Sequence, residues 1–266
     1  MRAIMSGAAP LDAETQEACE RALGNGMRVR QGYGLTETSP VTNLAPFGFD
    51  SAAADLTDYG GVPARAGSIG GPLLGTEMRV ADVSTPEALA AAGTANPRLL
   101  PPGEKNVGEV QIRGPQVFLG YHNNAVATAE SLLPGGWFRT GDLGFVDERG
   151  HFSIVDRLKE LIKVKGLQVA PAELEGALLA HPLVYDAAVV GRPDARAGEM
   201  PVAFVVTRLS FFKTGEPVSA AQLRAHLAGR LAEYKLPAEA DIRFIDAVPK
   251  SGSGKILRRV LKERLA

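Results

Sequence analysis

The segment Val155-Asp156-Arg157-Leu158-Lys159-Glu160-Leu161-Ile162-Lys163-Val164-Lys165-Gly166-Leu167-Gln168 constrains this chain more than any other. A strand-like run at residues 151–155 leads into it, and a helix signal at Pro171 follows it. Arg157, Lys159, Lys163 and Lys165 concentrate positive charge between these two regular elements, and Gly166 frees the backbone near the end. A strip of this kind suits a hinge that handles an anionic ligand. It equally suits a solvated loop whose charges only keep the surface wet. From the strip alone, both readings stand.

The pattern changes across it. On the N-terminal side, residues 2–9 read as a short strand entering a small-residue turn, followed by a helix from about Leu11 that stops at Gly24-Asn25-Gly26. A strand at 27–31 runs into a glycine-rich turn. Residues 42–147 are β-rich and broken by Gly and Pro, with strands expected at 78–80, 107–113, 138–139 and 144–146 and one short helix at 85–92. Residues 84–105 read as a surface excursion. Beyond the strip come a helix at 171–180, strands at 185–191 and 201–209, a helix at 219–234, a strand at 242–245 and a basic helix at 256–265. The expected architecture is α+β in two domains. Residues 1–158 hold a sheet remnant (1–41) of a larger α/β domain and a distorted β-barrel (42–158); a small hinged α+β domain occupies 159–266.

Charge narrows the function classes. Lys plus Arg number 29 against 30 Asp plus Glu, so no global basic field exists to hold nucleic acid, and any anion site must be local. No apolar run approaches the roughly 20 residues that span a bilayer, and no secretory signal is visible. The single Cys19 excludes an intramolecular disulfide and fits a reducing, cytoplasmic setting. Its place in the amphipathic run 11–23 predicts a packed thiol, not a nucleophile.

Three short motifs carry candidate chemistry. In Gly32-Tyr33-Gly34-Leu35-Thr36-Glu37 the glycines permit close backbone approach, Tyr33 offers a flat face for a planar ring, Thr36 a hydroxyl for a phosphate, and Glu37 a hard oxygen ligand for Mg2+. A glycine-rich hairpin turn would look the same. Asp142, expected in a turn between Gly141 and Gly144, can present two oxygens to vicinal hydroxyls, or simply belong to a β-turn. Lys255 closes the Gly/Ser loop Lys250-Ser-Gly-Ser-Gly254, from which a lysine can swing widely; a flexible linker is the alternative. The spacing of a Walker phosphate loop is absent.

Together these motifs are more specific. Ser6-Gly-Ala-Ala-Pro-Leu11, Gln31-Gly-Tyr-Gly-Leu-Thr-Glu37, Gly108-Glu-Val-Gln-Ile-Arg-Gly-Pro115, Phe138-Arg-Thr-Gly-Asp-Leu143, Val155-Asp-Arg-Leu-Lys-Glu-Leu-Ile-Lys163 and Pro249-Lys-Ser-Gly-Ser-Gly-Lys255 occur in one order. The chain resembles, over essentially its whole length, the adenylate-forming acyl-CoA synthetases, such as the 4-coumarate–CoA ligases. The resemblance implies that a carboxylic acid and ATP give an acyl-adenylate and pyrophosphate, after which coenzyme A displaces AMP. It implies that the small domain turns about the hinge between the steps.

By the same resemblance Gly7, Ala8 and Ala9 face the adenine edge, Gly32, Tyr33 and Gly34 line its pocket, and Thr36 holds the α-phosphate. Glu37 helps bind Mg2+. Asp142 takes the ribose hydroxyls, Arg157 contacts ribose or phosphate, and Lys159 is the pivot. Lys255 is the adenylation lysine. Lys163, Lys165, Gly166 and Gln168 face the site or the CoA tunnel in the thioester-forming pose, and Gly34, Pro40 and Val41 touch the acyl group. The expected cofactors are ATP/AMP, Mg2+ and CoA as co-substrate; the partners are a small carboxylic acid and a missing N-terminal half, with no nucleic acid. The family's Ser/Thr/Gly-rich phosphate loop has no counterpart here. A peptide-synthetase-type adenylation domain and a catalytically silent nucleotide- or CoA-binding fragment are the alternative functions.

Overall fold

A computed structural model describes residues 3–7, 11, 13–45, 65–213, 216–252 and 254–265. The chain divides into two compact units, Met1–Leu158 and Lys159–Ala266.

In the first unit β1 (Ala3–Ser6) pairs in parallel with β2 (Arg28–Tyr33), Ser6 lying opposite Gln31. Parallel neighbours require a crossover, and α1 (Ala13–Leu23) provides it. Polar side chains seat this helix. Gln16 is buried; its amide donates to the Val29 carbonyl at 3.0 Å, and its oxygen accepts from Gln31 and from the Gly67 N–H. Glu20 accepts from the Val29 N–H at 2.9 Å. With residues 16 and 20 facing the sheet, Cys19 is turned roughly 80° from the middle of that seat. Cys19 is therefore exposed, which corrects the expectation of a packed thiol.

After β3 (Asn43–Leu44), antiparallel to β2, the chain builds a five-stranded antiparallel sheet. Its members are β4 (Glu77–Ala81), β5 (Gly108–Arg113), β6 (Leu132–Leu133), β7 (Trp137–Val146) and β8 (Phe152–Arg157), in the order β4-β5-β7-β6 with β8 also on β7. Val80, Val110, Ile112 and Phe138 are buried, as alternation predicts for a core-facing side. Two helices interrupt the strands: α2 (Pro86–Ala92), capped by Thr85, and α3 (Ala125–Ser131), capped by Asn124. The second was not expected. The excursion at 84–105 is pinned, since the Asp82 N–H donates to the Arg98 carbonyl and the Leu100 N–H to that of Val80.

The strands expected at 138–139 and 144–146 are one strand, β7. Opposite it, β5 advances from Gln111 to Glu109 while β7 runs from Arg139 to Leu143. The surplus residues form a bulge in which Gly141 takes a φ of +70°. Asp142 is thus a strand residue beside a bulge, not a turn residue.

The second unit is a sheet ordered β10-β9-β12-β11, with β13 parallel to β12. In chain order it comprises β9 (Ile162–Val164), β10 (Leu167–Val169), α4 (Pro171–Leu179), β11 (Val184–Asp194), β12 (Gly198–Thr207), α5 (Arg208–Phe212), α6 (Ala220–Ala228), β13 (Ile242–Phe244) and α7 (Arg258–Glu263). Both faces of β11 and β12 are covered. Ala187, Val189, Ala203 and Val205 pack with Leu174, Leu178, Leu223 and Leu227 of α4 and α6. Ala188, Val190, Val202 and Phe204 pack with Leu261 of α7. The helix expected at 219–234 is shorter: Ser219 caps its start, with Gln222 completing the capping box, and Gly229 ends it. The hairpin β9–β10 and the helix α5 were not expected.

Candidate functional site

The first cluster forms where β2 ends beside β7 and β8. Tyr33, the last residue of β2, is half-buried, and its hydroxyl donates to Asp142 Oδ2 at 2.5 Å. Asp142 is 6% exposed. The bulge at Gly141 sets the carboxylate, and the Thr140 hydroxyl accepts from the Asp142 N–H at 3.0 Å while donating to the Val110 carbonyl at 2.6 Å. Arg157 stands opposite Asp142 in the β7–β8 register, with Nε 3.5 Å from Oδ1. Burial, then the adjacent Asp142 charge, pushes the Tyr33 phenol well above its ordinary value. Tyr33 therefore keeps its proton at neutral pH and acts as a donor. Gly7 belongs to the same corner, since a Cβ there would sit 3.3 Å from the Gly32 carbonyl oxygen. Ala8 and Ala9 lie outside the described residues.

Gly34 is small for an internal reason. A Cβ at that position would lie 1.8 Å from the Pro40 carbonyl oxygen, so the tight approach is to its own chain, not to a ligand. Gly34, Pro40 and Val41 are brought together and exposed. Between them the chain makes a 3-10 turn, Thr36–Thr38, held by Thr38, whose hydroxyl accepts from the Leu35 N–H and donates to the Leu35 carbonyl. Thr36 is exposed and Glu37 half-buried.

Tyr121 was missed by sequence reasoning. Its hydroxyl donates to Glu37 Oε1 at 2.8 Å across 84 residues. Burial, then the Glu37 carboxylate, raises the Tyr121 phenol above its ordinary value. The only local signal was the Gly120-Tyr121 pair.

Glu37 brings a hard oxygen donor to this turn. No group of three or more metal-ligating side chains exists among the described residues. A lone carboxylate fits Mg2+, which takes most of its ligands from phosphates and water.

The remaining candidates lie in the second unit. Lys159 is exposed in the 3-10 turn Leu158–Glu160. Lys165 and Gly166, with φ of 49° and 81°, make the two-residue turn of the β9–β10 hairpin. Positive φ at both central positions is the type I′ geometry that matches strand twist. The register sets Lys163 opposite Gln168, both exposed. Glu199 accepts from the Lys163 N–H at 2.8 Å, and the Lys165 N–H donates to the Ala197 carbonyl at 2.7 Å, fixing the hairpin to β12.

Lys255 is exposed, and its loop is not the free linker considered from sequence. Lys250 bridges Ile256, and the Ser251 N–H donates to the Lys255 carbonyl at 2.8 Å. The Gly254 N–H donates to the Ser251 carbonyl, and Lys250 Nζ pairs with Asp186 at 2.6 Å. Immediately after it, Arg258 of α7 grips the buried Glu175 of α4 through both terminal nitrogens, at 2.6 and 3.1 Å.

A curled antiparallel sheet with a tyrosine–aspartate corner, joined through a basic turn to a small α+β unit, defines an adenylate-forming enzyme fold, and the chain belongs to the adenylate-forming superfamily. The AMP-binding enzyme family matches residues 1–122, and the AMP-binding enzyme C-terminal domain matches residues 173–255. Its relatives include 4-coumarate–CoA ligase 2 of Oryza sativa subsp. japonica, 42% identical over all of this chain and 42% of that protein. The 4-coumarate–CoA ligase of Vanilla planifolia is 40% identical over all of this chain and 43% of its own length. Among solved structures, ATP-bound MatB from Rhodopseudomonas palustris aligns with a TM-score of 0.78 at 32% identity, covering 98% of this chain and 44% of that one. The anthranilate CoA ligase AuaEII in complex with anthranoyl-AMP aligns with a TM-score of 0.78 at 28% identity, over 100% and 45% of the two chains. The chain thus spans less than half the length of these proteins.

Proposed function

We propose that this chain carries the adenylate-handling part of an acid–thiol ligase acting on an aromatic carboxylic acid. The observation that carries the reading is the Tyr33–Asp142–Arg157 corner, where a buried carboxylate, an aromatic face and a guanidinium meet at the end of β2. The relatives' names support an aryl acid, since coumarate and anthranilate are both aromatic carboxylates.

In the adenylation step a carboxylate oxygen attacks the α-phosphorus of ATP, and the bond to pyrophosphate breaks. Tyr33 stacks against the adenine ring while Gly7, Gly32 and Gly34 shape the backbone around it. Asp142 accepts from the two ribose hydroxyls, Arg157 contacts ribose or phosphate, and Thr36 donates to the α-phosphate. Mg2+, held by Glu37 and the nucleotide, would neutralise phosphate charge. Lys255 supplies positive charge to the crowded phosphorus, where one well-placed donor lowers a barrier by about 3–4 kcal/mol. In the second step the CoA sulfur attacks the acyl carbonyl carbon, and AMP leaves. Lys163, Lys165, Gly166 and Gln168 then flank the adenylate or the CoA arm.

A physical argument supports giving the two lysines separate steps. The hairpin of Lys163 joins β12 at Gly198, whereas Lys250, at the head of the Lys255 loop, pairs with Asp186, whose β12 partner is Val206. Those two points of β12 are about 26 Å apart along the strand. A separation of that size within one small domain supports assigning the two lysines to different steps.

The test bypasses the family's phosphate loop. Purified chain is titrated with AMP, then given a synthetic aryl-adenylate plus CoA, and thioester is followed by absorbance. AMP should bind, and Asp142→Ala should abolish binding. Thioester formation should fall at least tenfold in Lys163→Ala and persist in Lys255→Ala. A folded chain that binds no AMP sinks the proposal, and equal loss in the two lysine variants sinks the division of labour.

A further inference from the structure

We infer that Tyr121 is a positioning residue for Glu37, fixing one carboxylate oxygen so that the other is left for the cation that accompanies the nucleotide. The inference rests on the nucleotide reading above.

The loop after β5 is built onto the Glu37 turn. The Phe118 N–H donates to the Glu37 carbonyl at 2.8 Å, and three residues later the Tyr121 hydroxyl donates to Glu37 Oε1 at 2.8 Å. Backbone and side chain of one glutamate are therefore held by one short stretch. That stretch is itself fixed. The Phe118 ring meets Tyr121 edge-on at 4.8 Å and Phe138 at 5.6 Å, and Phe138 is buried in the sheet. The Tyr121 N–H donates to the Thr128 hydroxyl at 2.9 Å, and that hydroxyl donates to the Asn124 carbonyl at 2.8 Å. Gly120 adopts a φ of +141°, and a Cβ there would lie 2.6 Å from Thr128 Cγ2. Only glycine lets the loop lie this close to α3.

A partly exposed glutamate samples many rotamers, and ordering it on binding costs affinity. A phenol fixed by a rigid loop removes much of that cost before the ligand arrives. Stability alone explains the contact poorly. Tyr121 is 37% exposed, so water can replace its hydrogen bond, and the ring packing does not need the hydroxyl.

The experiment is calorimetric titration of the whole chain with ATP, once in EDTA and once in Mg2+, for wild type, Tyr121→Phe, Glu37→Gln and the double variant. Wild type should bind ATP more tightly with Mg2+ present. Tyr121→Phe should shrink that gain about fivefold, the worth of one net hydrogen bond, while leaving affinity in EDTA and the melting midpoint unchanged. Glu37→Gln should lose the gain, and the double variant should match it. Full retention of the gain in Tyr121→Phe, or equal loss with and without Mg2+, overturns the positioning role. Nucleotide binding with no Mg2+ gain in wild type overturns the role of Glu37 and the inference with it. Absence of any nucleotide binding by folded wild type overturns the underlying functional reading instead.

Discussion

Replacing Glu175 with alanine should unfold the second unit well before wild type. Glu175 is 8% exposed; it accepts the Val189 N–H at 2.8 Å and two bonds from Arg258 at 2.6 and 3.1 Å. It thereby ties α4 to β11 and to α7, the helix that follows the Lys255 loop. Removing it takes both of these bonds from a guanidinium whose side chain is only 14% exposed. Breaking one partner of a buried pair costs about 3–5 kcal/mol. Glu160, whose Oε2 lies 3.8 Å from Arg258 Nε, remains as partial compensation, so the lower end applies. At roughly 4 °C per kcal/mol for a unit of this size, the midpoint should fall by about 12 °C. Differential scanning calorimetry would measure it, with the Glu175→Leu/Arg258→Met double variant alongside. Replacing both groups by apolar ones should recover part of the stability, because no guanidinium is then left beside the emptied position, although the Val189 N–H loses its acceptor and Glu160 its neighbour. A shift under about 3 °C for Glu175→Ala, or a double variant as unstable as the single, would refute the reasoning.

Gly34→Ala drives a Cβ into the Pro40 carbonyl and should destabilise the first unit by about 3 kcal/mol, the upper end for overpacking; an unchanged urea midpoint would contradict it. His181 packs edge-on against His226 at 4.9 Å, and its Nδ1 accepts from the Leu183 N–H. Burial, then His226 and Arg230, lowers its pKa below the ordinary 6.5. The depressed value favours the neutral ring in the folded state, so this contribution is present above about pH 6.5 and lost as pH falls through the folded value. Urea midpoints between pH 7.5 and 5 should drop more in wild type than in His181→Gln, and parallel curves would exclude the effect.

Much of the candidate site was legible in the sequence because it is local. Gly32-Tyr33-Gly34, Thr36-Glu37 and the Lys163–Gln168 strip each keep their chemistry within a few residues, and together they identify the superfamily. Strand alternation places Val110 and Ile112 on one face of β5, but it does not report that Glu109 and Gln111 opposite are buried as well, held by Arg139, Arg79 and the Ala92 carbonyl. Charge balance also narrowed the classes of partner to expect without any coordinates. The order of the motifs is a property of the chain, so no fold was needed to read it.

What only tertiary structure decided depends on partners far apart in sequence or on exact backbone register. The Tyr33 hydroxyl meets Asp142 across 109 residues, and Tyr121 meets Glu37 across 84. No local period encodes either pairing. Asp142 is a strand residue because β8 pairs with it on one side while the β5 register shifts past it on the other, an arrangement that residues 138–146 do not display by themselves. Cys19 is exposed because polar anchors at Gln16 and Glu20, not the apolar stripe, set the rotation of α1. The Lys165-Gly166 turn needed a strand on either side before its positive φ angles had meaning. Sequence supplies the groups that do chemistry; the fold determines which of them hold one another in place, because those contacts form only when distant strands close.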